Sequence, residues 1–244
     1  MFGNWRLAKK DRYEEMRHQA RSYWDMELIR RLPDSQLRKA IDLLEPSKSQ
    51  VRQDIFALAE LDFMQGGFFV EFGATNGVQW SNSWLMEKHF GWKGLLAEPD
   101  RRWHDDLRAN RDATIDTRCV SDVTGAQVEF VQAPRAANSS MAQYVPLRRR
   151  IRSNSYKVET VSFNDFLTQH EAPKVIDYAS LDTEGSENQI MEAFDFDRWQ
   201  FRVISLEHNW DPRREEMYQL MTANGYRRVM EEVSRFDDWY VHAG

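Results

Sequence analysis

Two segments of the chain end in acids and an imidazole. "SLDTEGSE" carries Asp182 and Glu184, and "SLEHN" carries Glu207, His208 and Asn209. Such groups can take a proton from a hydroxyl, which is worth roughly 10²- to 10⁴-fold in rate. His208 is the preferred base, oriented or assisted by Asp182 or Glu184. Asp182, Glu207 and His208 are also a donor set for a divalent cation, magnesium suiting hard oxygen ligands better than zinc, although the acid–base role is preferred. A plain alternative for His208 is a strand-end histidine with local partners. Glu187 reads as an acid complementing a helix N-terminus. A third segment, "GGFFVEFGATNGVQWSN" from Gly66, breaks an apolar run into glycine, alanine, asparagine and glycine. A buried strand that turns this sharply brings its backbone against a nucleotide-like cofactor, against a neighbouring helix, or into nothing more than a tight loop. Gly73 and Gly77 permit close approach because neither carries a Cβ. Glu98, in "LLAEPD", follows the last of these glycines by roughly 20 residues, the separation at which an acid accepts from a ribose diol.

The elements that would position these residues alternate. "SKSQVRQDIFALAELDF" begins with a serine N-cap candidate and spaces Val51, Ile55, Phe56, Leu58 and Ala59 along one helical face. Strands are expected at "GFFVEFGA", "WKGLLAEPD", "TIDTRCVSD", "KVIDYASLD" and "FRVISLEHN". Helices are expected from Ser81, over "RRWHDDLRANR", from Ser186 and from Pro212 to Asn224. "VTGAQVEFVQ" suggests a glycine turn feeding a short strand. The polar, basic stretch "APRAANSSMAQYVPLRRRIRSNSYK" shows no clear period. "GYRRVMEEV" and "DDWYVHA", joined through "SRF", predict an antiparallel hairpin at a sheet edge. The expected fold is an α/β, Rossmann-like three-layer sandwich with a mostly parallel seven-stranded sheet ending in that hairpin. Residues 1–46 predict a helical arm, packed on the main domain (47–244) or on a second copy of the chain.

Composition narrows the function classes. The 244 residues carry a net charge of −6, which disfavours nucleic-acid binding. The single cysteine, Cys119, excludes an internal disulfide and an all-thiolate metal site, and it reads as a small buried side chain. The start has no apolar leader core, and no uncharged apolar run is long enough to span a bilayer, so a cytoplasmic protein without membrane partners is expected. Trp80 and Trp84 read as packing residues in preference to a platform for a sugar. Arg148, Arg149, Arg150 and Arg152 read as a solvated patch or as a flap over an anionic acceptor.

The spacing around the turn is G-x-x-x-G, so neither the dinucleotide fingerprint G-x-G-x-x-G nor a phosphate-binding P-loop is present. Glu71, on the preceding strand, would repel a pyrophosphate but tolerate the ammonium and sulfonium of S-adenosylmethionine. The terminal hairpin agrees, since class I methyltransferases carry an antiparallel strand in a seven-stranded sheet. At this point the chain resembles the FkbM family of S-adenosylmethionine-dependent O-methyltransferases. The motifs are "SQVRQD" (49–54), "FFVEFGATNGVQWSNS" (68–83), "GWKGLLAEPD" (91–100), "CVSD" (119–122), "VETVSFNDFL" (158–167), "IDYASLDTEGSE" (176–187) and "VISLEHN" (203–209), in the expected order over roughly residues 47–242. The family pattern often reads N-D-G where this chain has Thr75-Asn76-Gly77. The resemblance implies that Gly73, Ala74, Asn76 and Gly77 wrap the methionine portion of the donor, with Glu98 on the ribose. It implies Ser121 and Asp122 beside adenine, Ser81 and Asn82 near the carboxylate, and Gln53 and Asp54 as walls of the pocket. It also implies methyl transfer to a hydroxyl, on a sugar or glycosylated metabolite. Transfer to nitrogen or a carboxylate, or binding without turnover, are the alternatives.

Overall fold

The sequence FFVEF at 68–72 has no polar face, and a strand of that kind is stable only when covered on both sides. In the computed structural model, which describes residues 19–134 and 139–244 with Arg12 and Met16, it forms the central strand β1 (Phe68–Phe72). The chain before it is helical at 19–29 (α1), in α2 (Asp34–Leu43) and in α3 (Gln53–Glu60). The expected helices over residues 1–18 lie outside the described residues, Arg12 and Met16 apart. After β1 come α4 (Trp84–Phe90), β2 (Lys93–Ala97), α5 (His104–Asn110), β3 (Thr114–Asp116), β4 (Cys119–Ser121), β5 (Gln127–Gln132) and β6 (Ser140–Met141). Then follow α6 (Leu147–Arg150), β7 (Asn154–Ser162), α7 (Phe163–Gln169), β8 (Val175–Leu181), α8 (Glu187–Glu192) and β9 (Gln200–Glu207). The last elements are α9 (Arg214–Ala223), β10 (Tyr226–Val229), α10 (Glu231–Ser234) and β11 (Asp237–His242).

Seven strands form one sheet in the order β10-β11-β9-β8-β1-β2-β3. The pairs β3–β2–β1–β8–β9 are all parallel, while β11 runs antiparallel between β9 and β10. Successive residues of β1 serve opposite faces, as the pleat requires. Phe69 joins a core built with α1 to α5, whereas Val70 and Phe72 join one built with α7, α8 and α9. The fold is therefore the Rossmann-like α/β sandwich that the pattern predicts. Strand order reverses between β1 and β8, so a crevice opens at their carboxyl ends.

Three local expectations need correction. "TIDTRCVSD" is two strands, not one. Arg118 folds back onto Asp116, its backbone N–H 2.9 Å from Oδ1 and its guanidinium 2.6 Å from Oδ2, and the chain leaves the large sheet there. β4 then enters a second sheet, in the order β4-β7-β5-β6, which the sequence reading did not foresee as a sheet. Finally, β10 and β11 are joined through α10, not a short turn.

The described part of the N-terminal segment packs into the molecule. Leu28, Ile29, Leu32 and Ala40 are buried in the same core as Phe69. No described helix is long and apolar enough to cross a membrane.

Candidate active site

A cavity of about 500 Å³ occupies the crevice at the carboxyl ends of β1, β2, β8 and β9. Its floor includes Gly73, Glu98 and Asp182, and the second sheet closes one side with Cys119, Val120, Phe130 and Met141. The turn after β1 shows what its glycines are for. Gly73 (φ +78°) faces the cavity, and a Cβ there would collide with the Asp182 carbonyl oxygen at the end of β8. Gly77 (φ +79°) serves the neighbouring helix instead, since a Cβ would lie 2.5 Å from Arg111 Cγ and 2.8 Å from Leu107 Cδ1. Thr75 also adopts positive φ, and its N–H donates to Glu98 Oε2 at 2.7 Å. The other carboxylate oxygen of Glu98 accepts from the Asp100 N–H, also at 2.7 Å. Glu98 is thus aimed by two backbone donors at the cavity wall, and burial pushes its pKa up to about 7.

The opposite wall is acidic. β8 and β9 pair in parallel with Leu181 opposite Leu206, so Asp182 and Glu207 emerge side by side. Glu184 stands in the following turn at φ +60°. Carboxylate oxygens of Asp182, Glu184 and Glu207 lie within 4.8 Å of one another. Burial first, and repulsion from neighbouring acids second (Asp237 and Glu187 for Asp182, Asp182 and Glu187 for Glu207), raise the pKa values of Asp182 and Glu207 well above the usual carboxylate range.

His208 faces elsewhere. Its Nδ1 accepts from the Trp210 N–H at 2.9 Å, which leaves the proton of the neutral ring on Nε2, 3.9 Å from Asp238. Burial lowers its pKa. The ring lines a smaller cavity of about 160 Å³ that shares Glu184, Glu207 and Asn209 with the larger one.

Residues 71–228 match the family described as the methyltransferase FkbM domain. The chain belongs to that family. Among solved structures, it is similar to the methyltransferase FkbM from Methylobacillus flagellatus KT, with 13% identity and a TM-score of 0.49, over 90% of this chain and 58% of that one. It is also similar to precorrin-6y C5,15-methyltransferase from Geobacter metallireducens GS-15, with 11% identity and a TM-score of 0.43, over 77% of this chain and 84% of that one. The METTL16 methyltransferase domain shows 9% identity and a TM-score of 0.43, over 78% and 65% of the respective chains. No curated protein matches the sequence.

Within this methyltransferase fold, several expected site residues support the cavity without lining it. Glu71 accepts from Ser81 Oγ (2.9 Å), the Asn82 N–H (2.7 Å) and Ser83 Oγ (2.5 Å), and Arg111 donates to Ser81 Oγ (3.0 Å) and Ser83 Oγ (2.8 Å). That network delays the helix to Trp84 and turns Ser81 and Asn82 inward, with Asn82 Nδ2 donating to Ser180 Oγ. Asn76 Oδ1 accepts from the Val78 and Gln79 N–H groups, and Ala74 is buried beside the turn. Gln53 is buried, accepting from the Val51 N–H and donating to Asp237 at 2.6 Å. Asp54 accepts from Ser47 Oγ and the Ile55 N–H. Ser121 donates to Asp122 at 2.9 Å, and neither is on the cavity wall, although Cys119 and Val120 just before them are. Burial pushes the Cys119 thiol up to about 12, which makes it inert.

Other wall residues escaped the sequence reading. Gln50, Gln79 and Trp103 line the cavity, and so does Trp80, for which the sequence favours packing over a sugar platform. Trp80 sits at φ +63° and bridges to Ser49 through the backbone, a contact that its spacing does not announce. Trp84 packs against the core, with Lys48 Nζ 5.0 Å from its ring centroid. Arg148, Arg149 and Arg150 form the exposed helix α6 and, like Arg152, do not line the cavity.

Proposed function

We propose that this methyltransferase carries the methyl group of S-adenosylmethionine to a hydroxyl, on a sugar or glycosylated metabolite. The observation that carries the reading is the polarity of the cavity. At one end Glu98 is fixed by two N–H groups, and at the other the carboxyls of Asp182, Glu184 and Glu207 bring oxygens within 4.8 Å of one another. The donor fits this setting. A cavity of about 500 Å³ is of the size that small ligands occupy, and Glu98 keeps acceptor capacity for a ribose diol. An acidic wall favours a cationic ligand over a pyrophosphate. When bound, S-adenosylmethionine supplies a methyl group activated by its sulfonium.

The remaining work belongs to the chain. An alcohol is nearly un-ionised at neutral pH, so its proton must be removed as the nucleophile aligns. The Asp182–Glu207 pair lines the cavity, and because burial raises both pKa values, whichever carboxyl is ionised is a stronger proton acceptor than an exposed carboxylate. His208, behind Glu207 and tied to Trp210, holds that strand end in place on this reading. The saccharide class rests on the resemblance of the motifs to the FkbM family.

The test is transfer from labelled donor to a panel of saccharides. Asp182→Asn and Glu207→Gln should each lose about 10²-fold or more of the rate while still binding S-adenosylhomocysteine. His208→Ala should lose less than either. Undiminished transfer by both carboxyl variants would remove the base role, and failure of the unmodified protein to bind S-adenosylhomocysteine would remove the donor.

A further inference from the structure

Most buried acids among the described residues are matched by donors. Glu71 has two hydroxyls and an N–H. Glu187 accepts from the Thr183 N–H, Thr183 Oγ1 and the Gly185 N–H. Asp238 lies between Arg214 and Arg228. Glu98 has two backbone N–H groups. Asp182 and Glu207 depart from this rule. Among the described residues, no lysine, arginine or backbone N–H reaches either carboxyl, and Glu207 Oε2 is buried without any hydrogen-bond partner.

The topology makes the exception unavoidable, because two parallel neighbours place their terminal acids on the same sheet edge and the turn adds Glu184. A doubly charged ion would offset the charge gathered there and supply the missing partner to both carboxyls at once. Oxygens around one hard cation, at roughly 2.0–2.6 Å from it, lie no more than about twice that apart, so oxygens within 4.8 Å of one another suit a single ion. An all-oxygen set selects magnesium or manganese over zinc or copper. The cluster also stands where the larger and smaller cavities meet, so ligands from either side can complete the coordination.

We propose that Asp182, Glu184 and Glu207 bind a hard divalent cation of the magnesium or manganese class, leaving coordination positions for hydroxyl groups of the acceptor. Cation binding stands on the carboxylate geometry alone; its use in orienting a hydroxyl rests on the methyl-transfer reading above. A bound cation would lower the pKa of a coordinated hydroxyl, so a weaker base would suffice, and a carboxylate oxygen of Asp182 or Glu207 outside the coordination sphere would still take the proton.

Manganese titration of the full chain, followed by electron paramagnetic resonance without donor or acceptor, tests this. One manganese ion per chain is expected, displaced by magnesium. Glu207→Gln and Asp182→Asn should each weaken it by about tenfold or more, while Glu192→Gln leaves it unchanged. Magnesium should raise the melting temperature of the unmodified protein and leave that of Glu207→Gln unmoved. Absence of stoichiometric binding at millimolar manganese, or binding indifferent to both carboxyl variants, would overturn the site. S-adenosylhomocysteine calorimetry in the presence of a chelator reports on the donor separately, so the two readings fail independently.

Discussion

Glu98 has two environments at once. Its oxygens are gripped by the Thr75 and Asp100 N–H groups, which favour the ionised form, while complete burial favours the neutral one and prevails, raising the pKa to about 7. The sign of the consequence follows directly. Below that value the carboxyl is mostly protonated, and above it the group is acceptor-only, which is the form that takes both hydroxyls of a ribose. Affinity for S-adenosylhomocysteine should therefore rise between pH 6 and pH 8, by no more than about tenfold per unit on the acid side. Glu98→Gln should bind more weakly and lose this dependence, because an amide accepts on one side only and sets its NH₂ against an N–H donor. Calorimetry at three pH values decides it. A flat profile in the unmodified protein would separate Glu98 from the ligand.

Among the elements, the join between β1 and β8 matters most for the site. The β1 turn passes so close to the β8 carbonyl of Asp182 that only a residue without Cβ fits at Gly73, which also holds φ +78°. Gly73→Ala should cost on the order of 2–4 kcal/mol in urea unfolding, since strain at positive φ adds to a collision with backbone that cannot rotate away. A loss below about 0.5 kcal/mol would show that the two strand ends are free to separate. The turn itself was legible in the sequence, as were the acids at the strand ends, because apolar runs covered on both faces announce themselves and glycine marks where they stop; that Gly73 closes on the β8 carbonyl was not, because strand order is not written in the local pattern. What lay beyond reading were contacts made by charge across distance. Ser81, Asn82 and Ser83 look like the start of a helix, but Glu71 and Arg111 recruit them into a buried network. The second sheet was hidden because β5 and β7 are half-exposed and lie in polar sequence, and because one side chain, Arg118, breaks β3 from β4. His208 was visible as a residue, yet its direction is set by Trp210 and the buried Asp238.

For the molecule as a whole, the question is whether the N-terminal helices are an appendage or part of the cooperative unit. Arg52 precedes α3 at φ +68° and is only 4% exposed. Its guanidinium donates to both oxygens of Asp25, on α1, at 2.7 and 2.9 Å. Around this pair Leu28, Ile29 and Leu32 join the core that covers one face of the large sheet. Two charges out of water attract strongly, but the larger effect appears when one is removed, because the other remains buried without compensation. Asp25→Ala should therefore lower the stability of the entire chain by on the order of 3 kcal/mol, in a single urea transition followed by tryptophan fluorescence. Replacing Arg52 by Met in the same chain should restore part of the loss, since it removes the stranded charge. An independent arm behaves otherwise. It would unfold in a separate early transition, leaving the main midpoint untouched by Asp25→Ala, and the core would then end at α3.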